Sequence, residues 1–274
     1  MKSFYFSVDV DWVRGSESGV VGLYDFCERF GIQPTFFVTG QFAVEYSDVV
    51  REGAKRGYQV GTHGWQHDEE EDFSRAPIEK QQHWIRQATQ AVGGATGVSP
   101  DAFRAPNLWV SEVTLRVLEQ EGYRIDSSVP SRRLTLGYGR RNSWNQYWAP
   151  RTPYYPCTAN IGRPGDCDVL EIPTSSYILP INMSALRVLG LKALLWSVRR
   201  IRACSPVLVF YAHPAEFVTP SNMDLPTSEP RRHREGIGPK NFQVLEEFVK
   251  GVASLGYVSR YMSTALPSTF ESAA

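Results

Sequence analysis

Apolar residues run almost unbroken through SFYFSVDV (3–10), a short segment that predicts a strand buried on both faces. The next apolar segment, GVVGLYDFCERFGI (19–32), reads as a helix that closes at Gly31. The alternation continues with a strand at PTFFVTG (34–40), a helix at DVVREGAKRG (48–57) and a strand at YQVGTH (58–63). A helix over 77–92, a strand at DAFRAP (101–106), a helix at SEVTLRVLEQEG (111–122) and a strand at YRIDSS (123–128) follow. Further on, strands at VLEIPTS (169–175) and PVLVFYAHP (206–214) flank a helix over 183–202. A last helix, PKNFQVLEEFVKGVASLG (239–256), leads into YVSRY. Strand-then-helix repetition predicts a parallel sheet wrapped by helices. About seven strands close most economically as an α/β barrel, a single domain over 1–274. The stretch 129–168, rich in Arg, Tyr, Trp, Pro and Gly, breaks the rhythm and reads as a long loop excursion.

The polar residues that end these strands carry the second pattern. Asp9 and Asp11 close the first strand, His63 and His67 follow the third, Arg104 ends the fourth, Asp126 the fifth, and His213 the last long apolar one. A lone Asp at a strand end is ordinarily a helix cap. Seven such positions on one set of strand ends argue for chemistry, because a parallel barrel gathers those ends on one face.

Composition narrows the classes. The 274 residues are 42% hydrophobic and 21% charged with a formal net charge of zero, so no basic field exists to bind nucleic acid non-specifically. No run of apolar residues is long enough to span a bilayer. The start, MKSFYFSVDVDWVRG, is too short and too charged for a signal-peptide core, which leads to the expectation of a cytoplasmic protein with free thiols. Cys157 and Cys167 bracket CTANIGRPGDC and would be placed to bridge in an exported protein.

Two of only five histidines sit four apart in GTHGWQHDEE (61–70). Gly64 occupies the place of the glutamate in the zincin pattern, so that reading fails. Two imidazoles and one carboxylate nonetheless form a common ligand set for catalytic zinc or a similar divalent ion. Asp9 and Asp11, two apart, share a strand face, so one suits the ion and the other a proton from water.

The motifs FSVDVDW, GTHGWQH, FRAP and FYAHP, in this order, resemble those of the polysaccharide deacetylase superfamily, the NodB-homology domains of carbohydrate esterase family four. The resemblance covers nearly the whole chain. DVDWVRG and HGWQH look closest to a D-x-D subgroup of sugar N-deacetylases and the deformylase of lipid-linked aminoarabinose. It implies a distorted seven-stranded (β/α)7 TIM-like barrel and one divalent ion, most often zinc, held by Asp11, His63 and His67. It also implies Asp9 as the base, Arg104 as the residue orienting it, and His213 as the general acid. Pro106 matches the third motif, with Asn107 and Leu108 where a tyrosine is usual, and a backbone N–H near this point is expected to hold an oxyanion. Phe210 stands where the last motif usually has leucine, and Asp126 in GYRIDSS is a loose match to the fourth motif. The activity implied is removal of an N-acyl group, acetyl or formyl, from an amino sugar or glycoconjugate.

Several residues carry blander readings beside functional ones. Trp65, inside the histidine motif, is a candidate substrate contact. His233, in EPRRHREGIG, is either an exposed loop residue or part of a clamp for an anionic substrate group. Glu216 follows His213 closely and either orients it, contacts an amine or complements a helix start. The aromatics of RNSWNQYWAPRTPYYP (141–156) are either sugar-stacking walls or lid packing. His83 reads as solvated surface. The span 172–215 has no acid, yet carries Arg187, Lys192, Arg199, Arg200 and Arg202, either a barrel helix or a basic amphipathic surface for anionic lipid. A hydrolase of non-sugar amides or cyclic ureides on the same fold, and an inactive sugar-binding module, are the competing functions.

Overall fold

The computed structural model describes residues 2–133, 144–224 and 236–267. His233 and part of the loop excursion therefore lie outside the described residues. One mostly parallel sheet organises the chain. Its strands are β1 (Lys2–Val10), β2 (Pro34–Val38), β3 (Gln59–Thr62), β4 (Ala102–Phe103), β5 (Ile125–Asp126), β6 (Leu170–Glu171), β7 (Val207–Ala212) and β8 (Tyr257–Ser259). The hydrogen-bonded order is β7-β1-β2-β3-β4-β5-β6, all parallel, and β8 pairs the start of β1. The expected (β/α)7 barrel is thus present in distorted form, open between β6 and β7. There the backbone N–H of Val209 donates to Ser175 Oγ at 2.9 Å instead of to a strand.

β1 shows why the sheet must curl. Its even positions Phe4, Phe6, Val8 and Val10 pack outward with Val20, Leu23 and Phe248 of the covering helices. Tyr5 faces inward with Phe37, Ile125, Leu170, Val207 and Val209, one residue or two from each of several strands. Ser7 and Asp9 continue that inward row. Both faces are therefore buried, and the interior is filled by side chains.

The strand segments from β4 to β6 are shorter than the apolar runs that predict them. DAFRAP pairs over Ala102–Phe103 only, because the N–H of Ala105 turns to Ser128 Oγ and Pro106 has none. VLEIPTS pairs over Leu170–Glu171 and meets Pro173 two residues on. The helix expected over 183–202 is two helices, Met183–Leu189 and Leu191–Arg202, broken at Gly190 with φ of 80°. The excursion holds a short antiparallel pair, Pro156–Cys157 with Asn160–Pro164, and Tyr154 is buried in the core with Phe103, Leu115 and Val169. A short helix at Gly40–Glu45, unmarked by the apolar pattern, follows β2. Cys27, Cys157, Cys167 and Cys204 are all unpaired.

Candidate active site

β1 ends at Val10, which places Asp9 inside the barrel and Asp11 at its rim. β3 delivers His63 and the loop carrying His67. Asp11 Oδ1 stands 3.5 Å from His63 Nε2 and 3.8 Å from His67 Nε2. The three candidate ligand atoms all lie within 4.8 Å of one another. Asp11 Oδ1 is buried and has no hydrogen-bond partner among the described residues. His63 Nδ1 is 2.8 Å from the Arg104 carbonyl, which fixes the Nδ1–H tautomer and leaves Nε2 with its lone pair facing Asp11. Burial, opposed by the charges of Asp9 and Asp11, pulls the His63 pKa down to about 4, so the ring is neutral, as a ligand must be. These residues fit a divalent ion.

Arg104 is fully buried within the barrel. Its Nη1 donates to Asp9 Oδ1 and to Ser7 Oγ, both at 2.7 Å. Its Nε donates to the Ser127 carbonyl at 2.9 Å and its Nη2 to Ser127 Oγ at 2.7 Å. The guanidinium carbon lies 4.4 Å from the Phe37 ring centroid. Burial pushes the Asp9 pKa up, but Arg104, His63 and His213 outweigh it and hold the carboxyl below its ordinary range. Asp9 is ionised at neutral pH.

His213 follows β7 and is partly exposed. Its backbone N–H donates to Glu216 Oε2 at 2.9 Å, and its Nδ1 is 3.5 Å from the same oxygen. Burial opposes the charged ring, but the bond to Glu216 and the charges of Asp11, Glu216 and Asp9 push its pKa up to about 10. Glu216 is itself buried, accepting from Ser184 Oγ at 2.9 Å and lying 3.3 Å from Arg187 Nε. It stands behind His213, in the orienting place among the readings the sequence leaves open. Arg187 is likewise drawn inward and is no part of a basic surface.

The third motif forms a single tight turn, Pro106–Leu108, with Asn107 and Leu108 at φ of 55° and 58°. Two successive non-glycine residues in the left-handed region are costly, as strained turns at functional sites are. The Leu108 N–H is bonded to the Ala105 carbonyl at 2.9 Å and the Trp109 N–H to the Pro106 carbonyl at 3.0 Å. Neither can serve a ligand oxygen in this arrangement. Pro106 and Leu108 are buried and Asn107 is exposed.

Two further candidates from the sequence find partners within the protein. The Trp65 ring lies so close to Gly40 that a Cβ there would meet a ring carbon at 2.3 Å, so it packs on the helix after β2. Asp126 is fully buried beside Glu171, its register partner on β6. Burial raises both carboxyls, Asp126 to about 6, and each is further raised or held by the other through a shared hydrogen bond. Ser128 Oγ donates to Asp126 Oδ1 and accepts from the Ala105 N–H at 2.8 Å. The pair therefore reaches, through one peptide, the Arg104 carbonyl that holds His63. Glu171 was not marked by the sequence, nor was Trp12, whose part-exposed ring follows Asp11 and donates to Glu45 Oε2 at 2.6 Å.

One end of the parallel barrel thus gathers two histidines, two aspartates, a buried arginine and a carboxylate-backed histidine. Residues 2–125 match the family model for polysaccharide deacetylase, which bears out the superfamily resemblance of the motifs. An uncharacterised 30.6 kDa protein of Geobacillus stearothermophilus is 29% identical over 123 residues, 45% of this chain and 44% of that protein. The peptidoglycan-N-acetylglucosamine deacetylase PgdA of Listeria monocytogenes is 30% identical over 110 residues, 40% of this chain and 22% of its own length. The matched region thus spans less than half of either relative. In fold, a carbohydrate esterase family 4 pseudoenzyme of Bacillus anthracis superposes with a TM-score of 0.59 at 10% identity, covering 97% of this chain and 66% of its own.

Proposed function

We propose that the protein is a metal-dependent hydrolase that removes an acetyl or formyl group from the nitrogen of an amino sugar or glycoconjugate. The observation that carries this reading is Asp11 Oδ1, buried without a hydrogen-bond partner among the described residues and facing the two imidazole nitrogens of His63 and His67. A buried carboxylate oxygen left in this way is costly unless a cation completes it. Zinc held by these three residues would supply Lewis acidity, polarising an acyl carbonyl and making water acidic near neutral pH. Asp9, kept ionised and aimed by Arg104, accepts the proton of the attacking water. His213, kept as imidazolium by Glu216, donates to the departing amine. The exposed Asn107 at the strained turn offers the backbone N–H for the oxyanion.

The N-deacetylase named among the relatives supports a sugar amide as substrate. The family-four pseudoenzyme shows that the fold alone does not guarantee turnover, so the reading rests on the residues of this chain. An anionic or lipid-linked acceptor is the finer form of the proposal. Val188, Leu189 and Trp196 are exposed on the two helices before β7, with exposed Lys192, Arg199 and Arg200 beside them. That combination suits contact with an anionic membrane surface. Among the described residues no helix is long and apolar enough to cross a membrane.

The test is zinc content of the purified protein together with acetate and formate release from N-acylated amino sugars, offered as sugar nucleotides and as glycolipids. About one ion per chain with acyl release is expected. An ion without release from any sugar amide would overturn the deacylase reading.

A further inference from the structure

The loop between the two histidines is built around a carboxylate. Glu71 is 1% exposed. Its Oε1 accepts from the Trp65 N–H, and its Oε2 from the Gln66 N–H at 2.9 Å and the His67 N–H at 2.7 Å. Three successive backbone donors converging on one anion form a concave anion-binding turn, here filled by the protein's own side chain. Asp68 makes the return possible, its Oδ1 accepting from the Glu70 and Glu71 N–H groups at 3.0 and 2.9 Å.

The backbone is bent to suit. Gly64 has φ of 72° and His67 φ of 62°. A Cβ on Gly64 would lie 2.7 Å from Glu71 Oε1 and 2.8 Å from Pro106 Cγ, so only glycine admits the carboxylate. His67 has no such freedom and is held left-handed by its N–H bond to Glu71. The His67 ring then stands 5.2 Å, centroid to centroid, from that of His63.

We infer that Glu71 is a positioning residue that pre-forms this loop, setting His67 opposite His63 and Asp11 before any ion arrives. The inference rests on the metal-site reading above. Burial raises the Glu71 pKa above its ordinary value, against the pull of the three N–H donors. A glutamine in its place has a single acceptor oxygen, and its amide N–H₂ would confront at least one backbone N–H.

The test uses the full chain, with zinc and cobalt as probes. Glu71→Gln and Glu71→Ala are expected to weaken zinc binding by about 10–100-fold in calorimetry and to alter the visible spectrum of the cobalt form. Glu70→Gln, at an exposed neighbour, is expected to leave both unchanged. A folded Glu71→Gln protein with parental zinc affinity and cobalt spectrum would overturn the inference. Should both Glu71 variants fail to fold, amide exchange in the metal-free parent decides. Protected amides at Trp65, Gln66 and His67 support a pre-formed loop, and freely exchanging ones overturn it. A parent that binds no zinc but protects these amides would sink the metal reading and leave the loop's architecture standing.

Discussion

Arg104 Nη1 and Asp9 Oδ1 are 2.7 Å apart, and neither side chain has meaningful contact with solvent. Removing the cation would strand a buried carboxylate. Arg104→Met is expected to lose about 3–5 kcal/mol in urea unfolding. Asp9→Asn keeps the shape, so it should cost less stability, retain the ion and lose turnover. An Asp9→Asn protein that binds no metal while Asp11→Asn binds it normally would mean that the two aspartates exchange roles.

Replacing His63 or His67 by Ala should abolish stoichiometric metal in elemental analysis. Asp11→Asn should weaken it first, because the amide oxygen is a poorer ligand than the carboxylate. Metal content equal to the parent in both histidine variants would show that the ligands are elsewhere.

Although burial opposes the charged ring, the bond to Glu216 and the charges of Asp11, Glu216 and Asp9 push the His213 pKa up from 6.5 to about 10. Its contribution to stability is complete below about 6.5 and is lost as pH climbs through about 10. Glu216→Gln removes the partner, so the alkaline limb of kcat/KM should move to lower pH. His213→Ala should suppress cleavage of amides with poor leaving groups far more than that of an activated aryl ester. Equal losses on both substrates would argue against proton donation by this ring.

The Asp126–Glu171 pair gives a second pH signature. Asp126 is raised from 3.8 to about 6, so its share of stability is present below 3.8 and lost as pH rises through about 6. Asp126→Asn supplies a permanent donor in place of the shared proton. Its unfolding free energy should fall less than the parent's between pH 4 and 7. Parallel stability profiles for parent and variant would show that the two carboxyls do not share a proton.

If the apolar and basic ridge meets lipid, the protein should co-sediment with anionic vesicles at low salt, more weakly at high salt, and poorly with neutral ones. Each of Lys192, Arg199 and Arg200 contributes roughly 1 kcal/mol near such a surface. Trp196→Ser with Leu189→Ser should reduce binding without changing its salt dependence. No preference for anionic vesicles, with faster turnover of a soluble sugar nucleotide, would remove the membrane from the proposal and leave the deacylase chemistry intact.

The strand-end residues were legible because a parallel barrel converts a one-dimensional rule into a shared face. Asp9, Asp11, His63, Arg104 and His213 each end or follow an apolar run, and the fold brings them to the same end. Glu71 was not legible. It stands in DEEED (68–72), where a run of acids ordinarily marks a solvated surface, and nothing local says which acid turns inward. Glu216 was visible as a neighbour of His213, but its direction depends on Ser184 and Arg187, which arrive from a distant helix.

By itself the sequence determined the alternation of strands and helices, the parallel barrel and the chemical types available at its carboxyl end. These follow from periodicity and from backbone direction, which are local properties. Tertiary structure alone decided which polar groups lost water and which partners they met there. It made Asp126, a loose motif match in the sequence, half of a buried acid pair, and drew Arg187 inward as a support for Glu216. It also folded the loop of His67 around Glu71. Desolvation and hydrogen-bond completion depend on neighbours brought together from far along the chain, and hydrophobic periodicity carries no record of them.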